Sequence, residues 1–470
     1  MGLYEEFYQA CNQTAKNLLS KSSQYFPFLI FSHYDPDGLT AATILGKALA
    51  REKIPYQIQI LKHLEYSALV EINRINRGEI TIIFLDLGTG VLDGFSDWDK
   101  GKSVFIIDHH YLEENIQIPK NVELLNPHLY SVDGSSEISG SGIVYLVAKE
   151  MNPRNIDQAK LAIIGALGDY QDKGEKSSLL GLNKGIVKDA IITKQVNETE
   201  AVWFFDRSRS IKNVLWSSRL IEFNNEIELE SFLEEAGIIL NDKNGERIFY
   251  DLSLEECKNI ASKLIEYGVE QREIIKTDYR LLNEEIVELE DARVFATRLN
   301  ACGRLDRADI GIALCSGDRS TALRELKQII KEDKKILSEN MQFAKSEGNI
   351  TEKTALYILD GRPIINDKFI GRITSMLSYQ KEFKFKPILG IAKTSNNKVK
   401  LSFRNTKKQN VNFDLVSILK KVISNIEPNT EVGGHSDAAG AIVSENKIDE
   451  IVWEINEAII NVRNQNDKKS

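Results

Sequence analysis

Near the N-terminus, three short apolar runs each stop at side chains suited to water or to a metal. Residues 26–32 run into His33-Tyr34-Asp35-Pro36-Asp37-Gly38, residues 81–85 into Asp86, and residues 103–107 into Asp108-His109-His110. Apolar runs of this length with polar stops read as buried strands. Between them, residues 39–52 carry Ala41, Ala42, Leu45, Ala48 and Leu49 on one helical face, residues 54–61 alternate as a strand, and residues 65–76 read as a helix. Strands alternating with helices imply βαβ units and a parallel sheet. Such a sheet gathers the C-terminal ends of its strands on one edge, where ligands bind. His33, Asp35, Asp37, Asp86, Asp108, His109 and His110 are therefore expected to converge. The spacing of two between His33, Asp35 and Asp37 would point them the same way in an extended segment.

The remaining composition narrows the class. A chain of 470 residues should hold two or three domains, and 27% charged with 42% hydrophobic residues is ordinary for a soluble globular protein. Nowhere does an apolar run reach the ~18 residues of a spanning helix, so no membrane partner is expected. The N-terminus lacks the pattern of a signal peptide. Cys11, Cys257, Cys302 and Cys315 have no CxxC spacing, which points to reduced thiols in a cytoplasm. The net charge of −9 gives no global sign of nucleic-acid binding. Three of the six histidines sit in the strand-end clusters.

Further along, Ser139-Gly140-Ser141-Gly142 opens an apolar helix, and exposed N–H groups at such a start can hold a phosphate, which makes Ser141 a candidate. A second helix over 156–167 ends at Gly168-Asp169. Residues 222–256 hold eleven acidic and two basic residues and read as an acidic, mostly helical insert, with helical patterns continuing to about Lys276. The stretch 297–307 reads as a Gly- and Arg-bearing loop before a helix, and 318–346 as a charged amphipathic helix. A last domain begins near Thr354, with strands at 355–359, 387–393 and 399–404, a helix opened by Gly371-Arg372, and a small-residue turn at 432–441. Between Lys381 and Lys408 lie nine basic residues and one acidic one. This could be a solvated face, and Phe383, Phe385 and Phe403 suit core packing better than base stacking.

Seven ligand-type groups on one sheet edge exceed the needs of one divalent ion. A pair of ions sharing a carboxylate fits better, and such pairs drive in-line displacement at phosphorus. Mixed imidazole and carboxylate donors favour Mn²⁺ and admit Mg²⁺. Asp108 would orient an imidazole from behind.

At this point the residues resemble the DHH phosphoesterases. His33-x-Asp35-x-Asp37-Gly38 looks like the first motif, Asp86 the second, Asp108-His109-His110 the third and Asp169 the fourth. Gly433-Gly434-His435 resembles the signature of the DHH-associated C-terminal domain, and Asn300-Ala301-Cys302-Gly303-Arg304 the NAxGR element of the RecJ branch. The resemblance implies an α/β fold: an N-terminal parallel-sheet DHH domain, a helical acidic insert, and a smaller C-terminal α/β domain across a cleft. The expected divisions are 1–190, 191–290 for the insert, 291–350 for the NAxGR loop and connecting helix, and 351–463. It also implies that His33, Asp35 and Asp86 hold one metal, and that Asp37, Asp86, His109 and Asp169 hold the other. His110, supported by Asp108, would serve the scissile phosphate, while Arg404 and His435, with Gly433, Gly434, Arg304 and Arg372, would hold substrate phosphates. Length and insert resemble archaeal RecJ-like nucleases, relatives of a catalytically decayed eukaryotic factor that joins GINS and the MCM ring. The function so implied is a 5′-to-3′ exonuclease on single-stranded DNA, or RNA, in replication or repair. The alternatives are a scaffold for GINS-type and MCM-type partners, or a short-oligonucleotide or small-molecule phosphodiesterase. The acidic insert would be a solvated face or a protein-partner surface, since like charge repels phosphate.

Overall fold

The computed structural model describes residues 4–22, 26–75, 80–98, 101–112, 116–218, 220–243, 245–380, 382–383, 385–394, 397–406, 413–428, 430 and 432–467; the side chains of 75, 435 and 464–467 lie outside that set. The chain divides into two compact units, Met1–Lys327 and Gln328–Ser470.

The first unit opens with helix α1 (Glu5–Ser20), then β1 (Phe28–His33), α2 (Pro36–Arg51), β2 (Tyr56–Leu61), α3 (Tyr66–Ile75), β3 (Ile80–Leu85), β4 (Lys102–Ile107) and β5 (Val122–Leu125). The strands form one five-stranded sheet in the order β2-β1-β3-β4-β5, with every pair parallel. The apolar runs of β1, β3 and β4 are buried on both faces, as parallel sheets require, while the edge strand β2 has no buried residue. On one face Ile82 and Phe84 pack with Phe31, Phe95, Trp98 and Ile106; Ile83 and Leu85 point the other way and are equally buried. Helices α4 (Gly140–Met151) and α5 (Ala159–Gly168) pack on α2.

Helix α6 (Gly181–Ile192) leads to β6 (Val196–Val202). Then come α7 (Ile211–Trp216), α8 (Glu226–Glu235), the two-residue strands β7 (Asn241–Asp242) and β8 (Gly245–Glu246), α9 (Leu254–Glu266), α10 (Gln271–Ile274) and β9 (Ile275–Leu281). β6 and β9 pair antiparallel from Val196↔Leu281 to Val202↔Ile275. The helical reading up to Lys276 is thus corrected, because Ile275 already belongs to a strand closing the base of the insert. Above it, Ile211, Leu215, Leu229, Phe232, Phe249, Ile260 and Leu264 make a core of the insert's own. The base is fastened by buried ion pairs: Arg207 to Asp278 (2.5 Å) and Asp291 (3.0 Å), and Arg298 to Asp206 (2.7 Å).

Helix α11 (Val287–Glu290) precedes α12 (Ala292–Arg304), which Asp291 caps by accepting from the N–H groups of Arg293 and Val294. The supposed loop at Asn300–Arg304 is the last part of α12. Its glycine signals close packing, not a turn: a Cβ on Gly303 would lie 2.1 Å from the Tyr34 carbonyl oxygen. α13 (Ala308–Ser316) and α14 (Thr321–Lys345) follow.

The second unit contains β10 (Ile350–Glu352), β11 (Tyr357–Asp360), α15 (Asp367–Ser378), β12 (Ile388–Lys393), β13 (Lys398–Arg404), α16 (Leu415–Ile426), β14 (Val432–His435), β15 (Ala438–Ser444) and α17 (Ile448–Asp467). Its mixed sheet has the order β10-β11-β12-β13-β15-β14. Leu389, Leu401 and Phe403 pack there with Leu419 and Ile423 of α16 and with Ile451, Ile455 and Ile459 of α17. No helix among the described residues is long and apolar enough to cross a membrane.

Candidate metal centre

Register explains the convergence. Ser32 pairs with Leu85 and Leu85 with Ile107, so the residues after them, His33, Asp86 and Asp108, leave the sheet at one level. The extended reading of His33-x-Asp35-x-Asp37 holds only to Asp35. There the chain turns into α2, with Asp35 as N-cap accepting from the Gly38 N–H (3.0 Å) and Pro36 in the first turn. Asp37 therefore reaches the site from the first turn of a helix. Asp86 has φ 57°, an uncommon conformation for a non-glycine, directly at the strand end.

The groups meet as follows. His33 Nδ1 lies 3.1 Å from Asp35 Oδ2 and 3.5 Å from Asp86 Oδ2. His109 Nε2 lies 3.2 Å from Asp86 Oδ1, 3.7 Å from Asp169 Oδ2 and 3.8 Å from Asp37 Oδ2. The two oxygens of Asp86 thus face different imidazoles. His109 Nδ1 donates to the Gly134 carbonyl (2.6 Å), which turns Nε2 toward the carboxylates. His33/Asp35/Asp86, Asp37/His109/Asp169 and Asp86/His109/His110 each offer donor atoms close enough to share a cation.

The electrostatics call for such a cation. Asp37, Asp86 and His109 are all buried. Burial, joined by the charges of Asp86 and Asp169, pushes the Asp37 carboxyl up to about 7. Asp169 is raised in the same way, by burial and then by Asp86 and Asp35 against the pull of His109. The Asp86 carboxyl falls below the usual range, because contacts from His109 and His33 outweigh its burial. Burial also acts on His33 and His109, yet the surrounding carboxylates hold both well above the ordinary imidazole value. Asp86 Oδ2 and His33 Nδ1 are buried without a hydrogen-bond partner among the described residues. Crowded carboxylates with orphaned donor atoms between them fit a divalent cation.

Asp108 faces away from this cluster. Its carboxylate accepts from the backbone N–H groups of Thr89 (3.0 Å) and His109 (2.8 Å) and from His110 Nδ1 (2.7 Å). Burial is opposed by His110 and its hydrogen bond, which keep the Asp108 carboxyl low. For His110, desolvation on the side packed against the protein would lower the imidazole, but Asp108 brings it up to about 9. The ring remains 57% exposed beside the cluster.

Ser141 is a correction. The N–H groups of Gly140 (2.7 Å) and Ser141 (3.0 Å) donate to the Asp37 carboxylate, so the start of α4 holds a side chain of the centre with the amides proposed for a phosphate. The Ser141 side chain is fully buried. Gln171, which carried no signal in the sequence beyond following Asp169 by two, is a supporting residue. Buried, it donates to Asp169 Oδ2 (2.9 Å) and the Gly134 carbonyl (2.9 Å) and accepts from Asn183 (2.7 Å).

In the second unit, Arg404 closes β13, donating to Ser375 Oγ (3.2 Å) and the Phe403 carbonyl (2.9 Å). Arg372 pairs with Asp333 (2.6 Å). Gly433 and Gly434 lie in β14, and Gly434 takes φ 128°, which side chains rarely adopt; the His435 side chain is outside the described residues. Arg304, in the first unit, is half-buried in the last turn of α12. Of the basic stretch, Lys381, Lys384, Lys407 and Lys408 are likewise outside the described residues. Phe403 is core, Phe383 lies edge-on to Tyr357, and Phe385 is exposed.

Residues 27–168 match the DHH family N-terminal domain and residues 356–461 the DHHA1 domain. The chain is 28% identical over 455 residues to an uncharacterized protein of Methanocaldococcus jannaschii, covering 95% of this chain and 96% of the other. Among solved structures it is similar to CDC45 from Entamoeba histolytica, with TM-score 0.64 and 12% identity over 96% of this chain and 99% of that one. It is also similar to RecJ from Thermus thermophilus in complex with Mn²⁺, with TM-score 0.59 and 16% identity, covering 96% of this chain and 55% of that one. The chain thus spans about half the length of that RecJ. At these identities the likeness is one of fold.

Proposed function

Since the chain belongs to the DHH family and carries DHH and DHHA1 domains on a RecJ-like fold, we propose that it is a two-metal phosphodiesterase acting on single-stranded nucleic acid, as a 5′-to-3′ single-stranded DNA exonuclease. Family and fold support the coarser part, a metal-dependent phosphoesterase. The observation that carries the two-metal reading is Asp86, whose two oxygens face His33 and His109 and so link two sets of donors; the single-stranded DNA substrate and the 5′-to-3′ polarity rest on the resemblance to the RecJ branch. In this reading His33, Asp35 and Asp86 hold one divalent cation, and Asp37, Asp86, His109 and Asp169 the other. Bound there, Mn²⁺ or Mg²⁺ would acidify a water and neutralise charge at phosphorus; imidazole donors favour Mn²⁺.

The protein's own groups supply the remainder. Asp108 keeps His110 oriented and protonated, so that an imidazolium meets the phosphate and stabilises its developing charge or protonates the leaving oxygen. Arg404, Gly433, Gly434, His435, Arg372 and Arg304 are the proposed phosphate-holding groups. The test is purified protein with Mn²⁺ and end-labelled single strands. Progressive release of nucleotides is expected, together with its loss in Asp37→Ala. No release, or undiminished release by that variant, counts against the reading.

A second reading, a replication scaffold for GINS-type or MCM-type proteins, is favoured by the CDC45 fold match and by an insert with a core of its own. Co-purification with and without the insert separates the two. Retention of partners by a protein that cleaves nothing would favour the scaffold.

A further inference from the structure

Helix α5 ends in a left-handed cap directly after Asp169. The Gln171 N–H donates to the Ala166 carbonyl (3.0 Å), and Tyr170, which donates to the Leu167 carbonyl (3.3 Å), sits between them at φ 56°. Glycine is the usual residue at this position because a Cβ is crowded there. Among the described residues the same cap is closed elsewhere by Gly237, Gly268 and Gly317, or by Lys53, Lys194 and Asp306. A tyrosine is the least economical choice, and packing does not offset it: the residue is 76% exposed. Neither its ring nor its hydroxyl has a partner among the described residues. Its position is nevertheless fixed, since Asp169 before it belongs to the centre and Gln171 after it is fully buried and hydrogen-bonded. A strained and pinned backbone position that bears an exposed ring and directly follows a residue of the cluster calls for a functional account.

We infer that Tyr170 is a base-stacking residue, its ring receiving the nucleobase of the nucleotide beside the scissile phosphate. Stacking on an aromatic face grips any base, as an enzyme that moves along a strand requires. Tyr111, which follows His110 and is 65% exposed, stands in the same relation to the other motif, but its ring already lies edge-on to His128 at 6.0 Å. The inference rests on the nucleic-acid reading above.

The test compares wild type, Tyr170→Gly and Tyr170→Phe. Substrates are short single-stranded oligodeoxynucleotides with Mn²⁺, carrying either an ordinary base or an abasic residue at the terminal nucleotides. Tyr170→Gly is expected to raise KM about tenfold for ordinary ends, to leave abasic ends as poorly held as in wild type, and to raise Tm by about 2 °C as the strain is relieved. Tyr170→Phe should restore the wild-type KM. An unchanged KM in Tyr170→Gly, or an equal loss on both substrates, overturns the stacking role while leaving the nuclease reading intact. Failure of the wild type to bind or cleave either strand sinks both.

Discussion

The Asp37 carboxylate has two sets of partners, the donor cluster on one side and the amides of Gly140 and Ser141 on the other. Asp37→Asn removes the charge and keeps one acceptor for the helix start, turning its amide NH2 toward the other N–H. It should lower Mn²⁺ affinity and turnover by at least about 100-fold, the upper end of what losing a supporting contact costs, with a smaller loss of Tm than Asp37→Ala. Asp37→Ala should add a stability loss of about 1 kcal/mol, because the Gly140 and Ser141 amides lose their acceptor while Ser139 still caps the helix. Titration calorimetry with Mn²⁺ and thermal melts separate the two effects, and equal metal affinity in all three proteins would refute the assignment. At this scale the acidic and imidazole residues were legible because each ended an apolar run. Ser141 was misread because a helix start shows its amides in the sequence but not what already occupies them. Gln171 went unseen because a glutamine two places after an aspartate looks like any polar residue until its burial is known.

At the scale of elements, the parallel strands were readable from buried runs such as residues 81–85. β5 was not, being four residues long with the half-buried Glu123 inside it. β6 and β9 also escaped, since Asn197, Glu198, Thr199 and Glu200 present a solvated face and their pairing partners lie some eighty positions away. Two consequences concern this insert. Arg207→Met would leave Asp278 and Asp291 buried without their partner, and should cost about 3–5 kcal/mol, measured by denaturant unfolding; a loss under 1 kcal/mol would show that water reaches the site. Glu256, in a capping box with Ser253 and bonded to Arg247, has its carboxyl drawn down from 4.5 to about 2. A depressed carboxyl stabilises the fold above its unfolded value and loses that contribution as pH falls through the folded value. The insert should therefore weaken by about 1 kcal/mol, screening included, between pH 4.5 and 2. Glu256→Gln should flatten that part of the circular-dichroism pH curve.

For the whole molecule, every proposed metal ligand falls between His33 and Asp169, inside the first unit, whereas the second unit has a sheet and core of its own. Calorimetry in EDTA and in Mn²⁺ should then show one transition that moves and one that does not. The moving one should gain about 2.7 kcal/mol at a hundredfold excess over Kd. Two transitions shifting together would mean that the units unfold as one.

Helix α12 ties distant parts of the first unit together. Asp291 at its start and Arg298 within it are clasped by Arg207 and Asp206 of the insert, while Gly303 near its end presses on the carbonyl of Tyr34, between His33 and Asp35. The insert and the proposed seat of the first cation are thus joined through one helix, and a partner bound to the insert is expected to change the Mn²⁺ affinity read by titration calorimetry; an affinity that stays the same would show that the helix carries no coupling.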